Sequence, residues 1–282
     1  MSTTSPSFLV IDVGVAAQLS GSEGDLAGTT GSAAAIDVTN LRVRYRRAKT
    51  DALSDLDLQV HQGETVALIG TNGAGKSTLL RCLVRLIEPT GGRIAISGTE
   101  VTGASRPALR AIRRDVGFVF QRYHLIPRLT AFHNVVHGAM GRHGSRCSWP
   151  STSPGDVRQE AVQCLERVGV ATFADRRVDT LSGGQQQRVA IARMLMQRPR
   201  VILADEPVAS LDPASANAVL DLMCSIAAER GVTVIMALHQ IELALRYADR
   251  VIGLRNGTLD FDQPAGDCDE TQLNPIFAES TT

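Results

Sequence analysis

A glycine-rich segment between two regular patterns places the tightest constraint on how this chain folds. Residues 65–69 before it form a continuous apolar run, which predicts a strand buried on both faces. Residues 77–87 after it repeat apolar side chains on one face, which predicts a helix that ends before Pro89 and the glycines beyond. The segment matches G-x-x-x-x-G-K-S and consists of Gly70, Thr71, Asn72, Gly73, Ala74, Gly75, Lys76 and Ser77. A strand, this loop and a helix in that order predict a phosphate-binding loop.

The residue types of this loop suit the triphosphate of a nucleotide. Glycines let successive backbone N–H groups surround phosphate oxygens, and the start of the helix adds a positive end. Lys76 is expected to reach the β- and γ-phosphates, and the Ser77 hydroxyl to ligate Mg²⁺. Only Lys49 and Lys76 among the 29 basic residues are lysines, so a lysine at this position is itself informative. We therefore expect a nucleoside triphosphate and Mg²⁺ as ligands, with Thr78 completing the nucleotide-binding segment.

Strands and helices alternate from residue 36 to about residue 265, which predicts an α/β fold with a mostly parallel sheet and antiparallel strands at its ends. The predicted strands lie at residues 41–45, 56–60, 116–120, 201–204, 233–238, 251–254 and 258–261. The predicted helices beyond the first lie at residues 156–168, 184–197 and 214–229. Residues 122–184 show helical character without a convincing strand, so we expect an inserted helical subdomain there.

Two adjacent carboxylates follow the predicted strand at residues 201–204. Asp205 is placed to hold Mg²⁺ beside the phosphate-binding loop, and Glu206 to orient and deprotonate an attacking water. A solvated strand end also accounts for acidic residues, but not for their position directly after such an apolar run. The pattern N-K-x-D, typical of guanine recognition, is absent, and no acceptor pocket of a kinase is indicated. ATP hydrolysis is therefore favoured.

A second candidate anion-binding helix start precedes the predicted helix at residues 184–197. It consists of Leu181, Ser182, Gly183, Gly184 and Gln185. Alone, this segment is more typical of an ordinary helix cap. Because it lies 23 residues before Asp205, the chain resembles the ATP-binding-cassette (ABC) ATPases over about residues 36–265, and this segment resembles their signature motif. The resemblance implies a P-loop NTPase core with an N-terminal antiparallel β subdomain and an inserted helical subdomain.

The resemblance also implies a head-to-tail homodimer in which each ATP lies between the phosphate-binding loop of one copy and the signature of the other. Tyr45 would stack on adenine, although a simple strand aromatic is the alternative. Gln121 would contact Mg²⁺ and report to a membrane partner, and His239 would contact the γ-phosphate. The remaining implied residues form a loop across the dimer interface, namely Ser210, Leu211 and Asp212. The catalytic set is then Glu206, His239, Gln121 and Lys76, and the metal-binding set is Ser77, Gln121 and Asp205.

Within the family, the chain is most similar to the phosphonate-importer ATPases. The similarity lies in residues 79–83, 85–89, 120–121, 125–130, 134–138, 203–213 and 247–250. It implies a subunit on the cytoplasmic face of the membrane, working with a permease and a solute-binding protein. Thr71 and Asn72 depart from the subfamily pattern, so importers of phosphite, phosphate or polar amino acids remain alternatives. A soluble ABC ATPase acting on DNA or ribosomes, and a non-transport membrane regulator, are further alternatives.

Composition and sequence pattern limit which classes of partner and which domain organisation we expect for this chain. The 29 basic residues equal the 29 acidic ones, so the basic excess of a nucleic-acid binder is absent. No apolar run is long enough to span a membrane, so the permease would be a separate chain. His133 and His137 stand four residues apart, but without the Glu of H-E-x-x-H a helix surface is favoured over a metal site. Residues 1–35 are predicted to be a disordered extension, with a misplaced start codon as the alternative, and residues 266–282 a short tail.

Overall fold

The computed structural model describes residues 34–269 and Leu273. Its strands are β1 (Ala34–Val43), β2 (Leu53–His61), β3 (Thr65–Ile69), β4 (Gly91–Ile96), β5 (Thr99–Glu100), β6 (Val116–Val119), β7 (Val201–Asp205), β8 (Thr233–Ala237), β9 (Arg250–Arg255) and β10 (Thr258–Pro264). Its α-helices are α1 (Lys76–Leu83), α2 (Arg106–Asp115), α3 (Ala131–Val136), α4 (Met140–His143), α5 (Gly155–Arg167), α6 (Gly183–Met196), α7 (Pro213–Arg230) and α8 (Ile241–Tyr247). Short 3₁₀ helices lie at His137–Ala139, Gly144–Ser148, Ala171–Phe173, Val178–Thr180 and Ala265–Asp267.

A six-stranded sheet in the order β10-β9-β3-β8-β7-β6 forms the centre of the fold. All neighbouring pairs from β9 to β6 are parallel, and only the edge strand β10 pairs antiparallel with β9. Because β3, β7 and β8 are parallel, their carboxyl ends meet at one edge of the sheet. The loop after β3 and the acidic residues at the end of β7 therefore lie at the same edge, which is where open α/β sheets bind ligands.

Both faces of this sheet are covered, which explains the continuous apolar runs of its strands. In β3, Val66 and Leu68 belong to a core shared with α1, α2 and the second sheet. Their neighbours Ala67 and Ile69 face the opposite side and belong to a core shared with α6 and α7. Successive side chains of a strand point to opposite faces, so an unbroken run of four apolar residues after Thr65 fills both cores. The predicted α/β fold with a mostly parallel sheet is confirmed.

A second, antiparallel sheet lies at the N-terminal side of the described residues, in the order β2-β1-β4-β5. Between β6 and β7 the chain is helical, with α3, α5 and α6 packed against one another. The described residues of this insertion form no strand, only an isolated bridge between Thr130 and Arg177. The predicted N-terminal β sheet and the helical insertion are both present.

Several predicted elements have different boundaries. The first helix ends at Leu83 rather than at residue 87, because Arg85 adopts a left-handed backbone conformation at φ 51°. The first strand begins at Ala34 and ends at Val43, so Tyr45 lies beyond it and is not a strand aromatic. Four elements were missed altogether, namely β4, β5, α2 and α8.

Apart from residues 34 and 35, which begin β1, the extension predicted at residues 1–35 lies outside the described residues, as does most of the predicted tail. No helix in the described part of the chain has the length and apolar character needed to cross a membrane.

Candidate functional site

The phosphate-binding loop between β3 and α1 has a backbone that only glycine fits at two positions. Gly70 has φ 144°, and a Cβ there would lie 2.3 Å from the carbonyl oxygen of Leu254. Gly75 has φ 108°, and a Cβ there would lie 2.7 Å from Leu53 Cδ2 and 2.9 Å from the Ala52 oxygen. The two glycines hold the loop tightly against the neighbouring strands, while a Cβ on Gly73 between them would meet no atom within 4 Å. The tip of the loop is therefore open toward a ligand.

Lys76 is the buried cation of this loop, with 4% of its surface exposed. Its Nζ donates hydrogen bonds to the carbonyl oxygens of Gly70 at 2.6 Å and Thr71 at 3.0 Å. Burial lowers the pKa of Lys76 below its ordinary value, while the negative charges of Glu206 and Asp205 act in the opposite direction. A buried ammonium group with only carbonyl acceptors is well suited to an anionic ligand.

Ser77 and Asp205 bring two hard oxygen donors together. The Ser77 hydroxyl donates to Asp205 Oδ1 at 2.6 Å, although the residues lie 128 positions apart. Asp205 ends β7 and is 2% exposed. A carboxylate and a hydroxyl beside a phosphate site are ligands that Mg²⁺ prefers, so this pair fits a magnesium ion.

Glu206 follows immediately but points elsewhere, because its backbone has the left-handed φ of 51°. Its Oε2 accepts a hydrogen bond from Gln121 Nε2 at 2.8 Å, and its Oε1 lies 2.5 Å from His239 Nε2. Glu206 also lines a cleft of about 110 Å³ formed with residues 72–78. The structure thus holds a carboxylate beside the loop by contacts on both of its oxygens. Such a group is able to orient and deprotonate a water.

Tyr45 lies just after β1 and is 45% exposed. Its hydroxyl is 3.0 Å from Thr78 Oγ1, in the first turn of α1. The exposed ring is therefore anchored beside the phosphate-binding loop. This position is compatible with stacking on a flat ring, the role that the resemblance to ABC ATPases implies for Tyr45.

The segment Leu181 to Gln185 forms the start of α6. Ser182 caps the helix by accepting a hydrogen bond from the Gln185 N–H at 3.3 Å, and the Ser182 N–H donates to Gln185 Oε1 at 3.0 Å. This capping box fixes the helix start and leaves Ser182 and Gly183 exposed. Among the described residues, the hydrogen bonds of this segment do not reach the phosphate-binding loop of the same chain. The structure therefore does not bring these two predicted ATP contacts together within one copy.

The loop at residues 210–212 lies next to this segment. Leu211 Cδ2 lies within 4.0 Å of the positions that a Cβ would take on Gly183 and Gly184. The Ser210 hydroxyl is 2.9 Å from the hydroxyl of Tyr123, two residues after Gln121. Asp212 caps α7, and its hydrogen bond from Ser215 holds the pKa of its carboxyl below the ordinary value. The loop thus joins the segment after Gln121 to the start of α6.

Two site arginines were missed by sequence reasoning. Arg81 donates from Nη2 to Asp205 Oδ2 at 3.0 Å. Its spacing of four residues from Ser77 on a helix places both on one face, and this spacing is the signal that was available. Arg193, near the end of α6, donates to the carbonyl oxygens of Tyr123 at 2.8 Å and His124 at 2.6 Å. No local pattern announces that contact, because it joins segments 70 positions apart.

The two histidines of α3 and its continuation both contact residues 148–149. His137 Nε2 lies 2.9 Å from the Ser148 carbonyl oxygen, and the His133 ring contacts Trp149 edge-on at 5.5 Å. Within residues 34–269 and Leu273, no three His, Cys, Asp or Glu side chains cluster closely enough to hold a metal. The oxygen donors around Ser77 and Asp205 are a different kind of site, which suits a cation shared with phosphate groups.

Comparison with known proteins adds three observations. The profile of a family described as ABC transporter matches residues 53–209. A protein of Nocardia farcinica named phosphonates import ATP-binding protein PhnC is 50% identical over 235 residues, covering 83% of this chain and 88% of that protein. A protein of Mycolicibacterium smegmatis named phosphate-import ATP-binding protein PhnC is 51% identical over 223 residues, covering 79% of this chain and 85% of that protein. The similarity therefore extends over nearly the whole of both relatives, whose names differ in the solute.

Solved structures are similar in fold as well. One is the dimeric structure of a post-hydrolysis state of the ATP-binding cassette MJ0796 bound to ADP and Pi, with a TM-score of 0.72 and 34% identity, covering 82% of this chain and 98% of that chain. Another is cbiO1 from Clostridium perfringens, part of the ABC transporter complex cbiONQ. It has a TM-score of 0.73 and 29% identity, covering 83% of this chain and 90% of that chain. The fold described above thus occurs in solved relatives.

Proposed function

Because this chain belongs to the ABC transporter family, as the ATP-binding cassette of such a system, we propose that it hydrolyses ATP to drive phosphonate import through a separate membrane permease. The observation that carries the catalytic part is the position of Glu206. Its carboxylate lines the phosphate-binding cleft and is held from two sides by Gln121 and His239. The family relationship supplies the transport part, and the names of the relatives supply the solute.

We assign the binding of ATP to residues 70–78. The backbone N–H groups of the loop and the start of α1 bind the phosphates, and the Lys76 ammonium exchanges its two carbonyl acceptors for phosphate oxygens. Tyr45 stacks on the adenine. Ser77, Asp205 and Gln121 hold Mg²⁺, which neutralises the charge of the phosphates when it is bound.

We assign the chemical step to Glu206. Its carboxylate accepts a hydrogen bond from a water and takes one proton as the water oxygen bonds to the γ-phosphorus. The bond from that phosphorus to the β-γ bridging oxygen breaks, and ADP and phosphate are the products. His239, already 2.5 Å from Glu206, orients this carboxylate and contacts the γ-phosphate. Gln121 links the same carboxylate to the segment that includes Tyr123.

A homodimer accounts for the separation of the signature from the loop. Ser182 and Gly183 are exposed at a capped helix start, a suitable site for phosphate oxygens of an ATP held by a second copy. Residues 210–212 support that helix start and cross the interface. The solved relative bound to ADP and Pi is dimeric, which supports this arrangement. Hydrolysis removes the γ-phosphate contact, so the dimer reopens and passes its motion to the permease.

The proposed assembly places this chain at the cytoplasmic face of the membrane. It contains the homodimer, the membrane permease subunits and a solute-binding protein outside the membrane. The solute contacts the binding protein and the permease, so the residues of this chain do not select it. Phosphonate is our first proposal, and inorganic phosphate is the second, because the relative from Mycolicibacterium smegmatis carries phosphate in its name.

The test is reconstitution of this chain with its permease in vesicles, with ATPase activity measured while the loaded binding protein is added. We expect methylphosphonate-loaded binding protein to stimulate hydrolysis, and the Glu206→Gln complex to remain unstimulated. Stimulation by inorganic phosphate alone would replace the first solute by the second. Stimulation by a polar amino acid alone would reject both solutes, and a complex that never hydrolyses ATP would reject the transport function.

A further inference from the structure

Arg81 contacts the candidate metal site from outside the phosphate-binding loop. It lies one helical turn after Ser77 on α1, and its Nη2 is 3.0 Å from Asp205 Oδ2. The Ser77 hydroxyl occupies the other oxygen, Oδ1, at 2.6 Å. Both oxygens of Asp205 are therefore engaged by groups of the same helix. In the part of the chain that the structure describes, Arg81 makes the only ion pair found for this carboxylate.

The burial of Asp205 explains why an arginine is needed there. The Asp205 side chain is 2% exposed, whereas that of Arg81 is 43% exposed. A buried carboxylate without a positive partner is strongly destabilising, since its charge is removed from water without compensation. Lys76 does not provide this charge by direct contact, because its ammonium group is bonded to Gly70 and Thr71. Arg81 reaches inward from the surface to do so.

We propose that Arg81 is a positioning residue that takes the place of the metal ion at Asp205 and thereby lowers the affinity of the site for Mg²⁺. This inference rests on the magnesium site proposed above. A guanidinium bonded to Oδ2 competes with a cation for the same oxygen. Its fixed charge also repels a divalent ion held close to that oxygen. In return, Arg81 supplies a positive partner for the buried carboxylate of Asp205 and holds it in place while no metal is bound.

A purely structural role for Arg81 predicts the opposite sign. If its only contribution were to orient Asp205, removing it would misplace a metal ligand and weaken Mg²⁺ binding, as loss of a supporting contact usually does. Competition predicts stronger Mg²⁺ binding after removal. The direction of the change in affinity therefore separates the two interpretations, independently of the rate of hydrolysis.

The experiment measures how strongly Mg²⁺ and nucleotide promote each other's binding to the full-length chain. A fluorescent ADP is titrated in excess EDTA and again in millimolar Mg²⁺, and the ratio of the two dissociation constants gives the coupling. We expect Arg81→Met to raise this ratio about tenfold, which corresponds to about 1.4 kcal/mol. Arg81→Lys keeps a positive charge but loses the planar fork, so its ratio should lie between those of Arg81→Met and the parent. Arg110→Met removes an exposed arginine of α2 and should leave the ratio unchanged.

A second readout guards against a variant that is merely unstable. Mg²⁺ with ADP should raise the melting temperature of Arg81→Met by more than that of the parent. In this variant the ion supplies the positive charge that Arg81 no longer places beside Asp205. An unchanged or lowered coupling ratio in a folded Arg81→Met protein would overturn the inference. Asp205→Asn distinguishes the two levels of the argument. If Asp205→Asn leaves the coupling ratio equal to that of the parent, the proposed magnesium site is wrong. If Asp205→Asn lowers the coupling ratio to about one, the magnesium site stands, and the Arg81 variants then test the role of Arg81 alone.

Discussion

Glu206 Oε1 lies 2.5 Å from Nε2 of His239, although a helix and a strand separate the two residues along the chain. The contact exists because β7 and β8 are parallel neighbours whose carboxyl ends meet at one edge. Glu206 directly follows β7, and His239 lies two residues after the end of β8. The arrangement of parallel strands thus assembles the proposed catalytic pair.

The first prediction concerns this pair. Glu206→Gln should bind ATP with nearly unchanged affinity but lose at least about 100-fold in kcat, because a general base contributes about 10² to 10⁴. His239→Ala should lower kcat while Glu206 remains, since the carboxylate loses one of its two holding contacts. Steady-state ATPase assays and equilibrium nucleotide binding measure the two effects. Near-normal turnover in Glu206→Gln would remove the proposed base.

The second prediction concerns Lys76. Lys76→Met should weaken ATP binding by at least about 100-fold, because charge-assisted hydrogen bonds to phosphate contribute about 1.5–3 kcal/mol each. Burial lowers the pKa of Lys76, so the charged form destabilises the ligand-free protein at neutral pH. That cost is present below the lowered pKa and disappears as the pH rises toward 10.5, the ordinary value.

The pH dependence of the unfolding free energy tests the lowered pKa of Lys76, which a measurement of ATP binding does not test. The unfolding free energies of the parent and of Lys76→Met are compared without nucleotide from pH 8 upward, so that titrations common to both proteins cancel. The parent should gain stability relative to Lys76→Met as the pH rises. A constant difference would contradict the lowered pKa.

The third prediction compares two glycines of one loop. Gly70→Ala should destabilise the protein by about 3 kcal/mol or more, because the left-handed backbone cost adds to a Cβ 2.3 Å from the Leu254 oxygen. Gly73→Ala meets no atom within 4 Å, so only the backbone cost of about 1–2 kcal/mol remains. Urea unfolding without nucleotide measures both. Equal losses would show that the contact with Leu254 is not what requires glycine at position 70.

The fourth prediction separates helix capping from contact with ATP across a dimer. Ser182 and Ser105 each cap a helix with the same hydrogen bond, at the starts of α6 and α2. Replacing either by Ala should cost about 1 kcal/mol of stability. In a Glu206→Gln background, only Ser182→Ala should abolish the dimer formed with ATP, as measured by analytical ultracentrifugation. Loss of the dimer in Ser105→Ala as well would mean that stability alone controls association.

The sequence predicted the elements whose patterns are local and strong. The strand at Thr65–Ile69 has the predicted boundaries, because an apolar run ending in glycine leaves little choice. Helix α2 was missed although Ser105 and Pro107 mark its start, since it buries only Leu109 and Ile112. The end of α1 was placed too late because nothing in the sequence announces the left-handed backbone of Arg85.

The residues of the candidate site also divide into those that the sequence predicted and those that it did not. Residues 70–78 were recognisable because their spacing along the chain carries the chemistry. The position of Asp205 beside the phosphate-binding loop was expected from its place at a strand end, whereas its contact with Arg81 was not. Arg193 could not be predicted, because its acceptors are backbone carbonyl oxygens, and backbone atoms leave no trace in the residue types. The roles of these residues, and the domain boundaries at the two termini, stay predictions.

The left-handed backbone of Glu206 has a consequence for how the two neighbouring acids divide their work. In an extended strand, consecutive side chains diverge to opposite sides, so one acid of such a pair would be directed away from the nucleotide. The positive φ redirects the second acid, which leaves Asp205 against α1 and brings Glu206 between Gln121 and His239. A single torsion angle therefore lets two successive positions serve separate partners. Any change that relaxes it should uncouple the cation binding proposed for Asp205 from the water activation proposed for Glu206 while preserving both carboxylates.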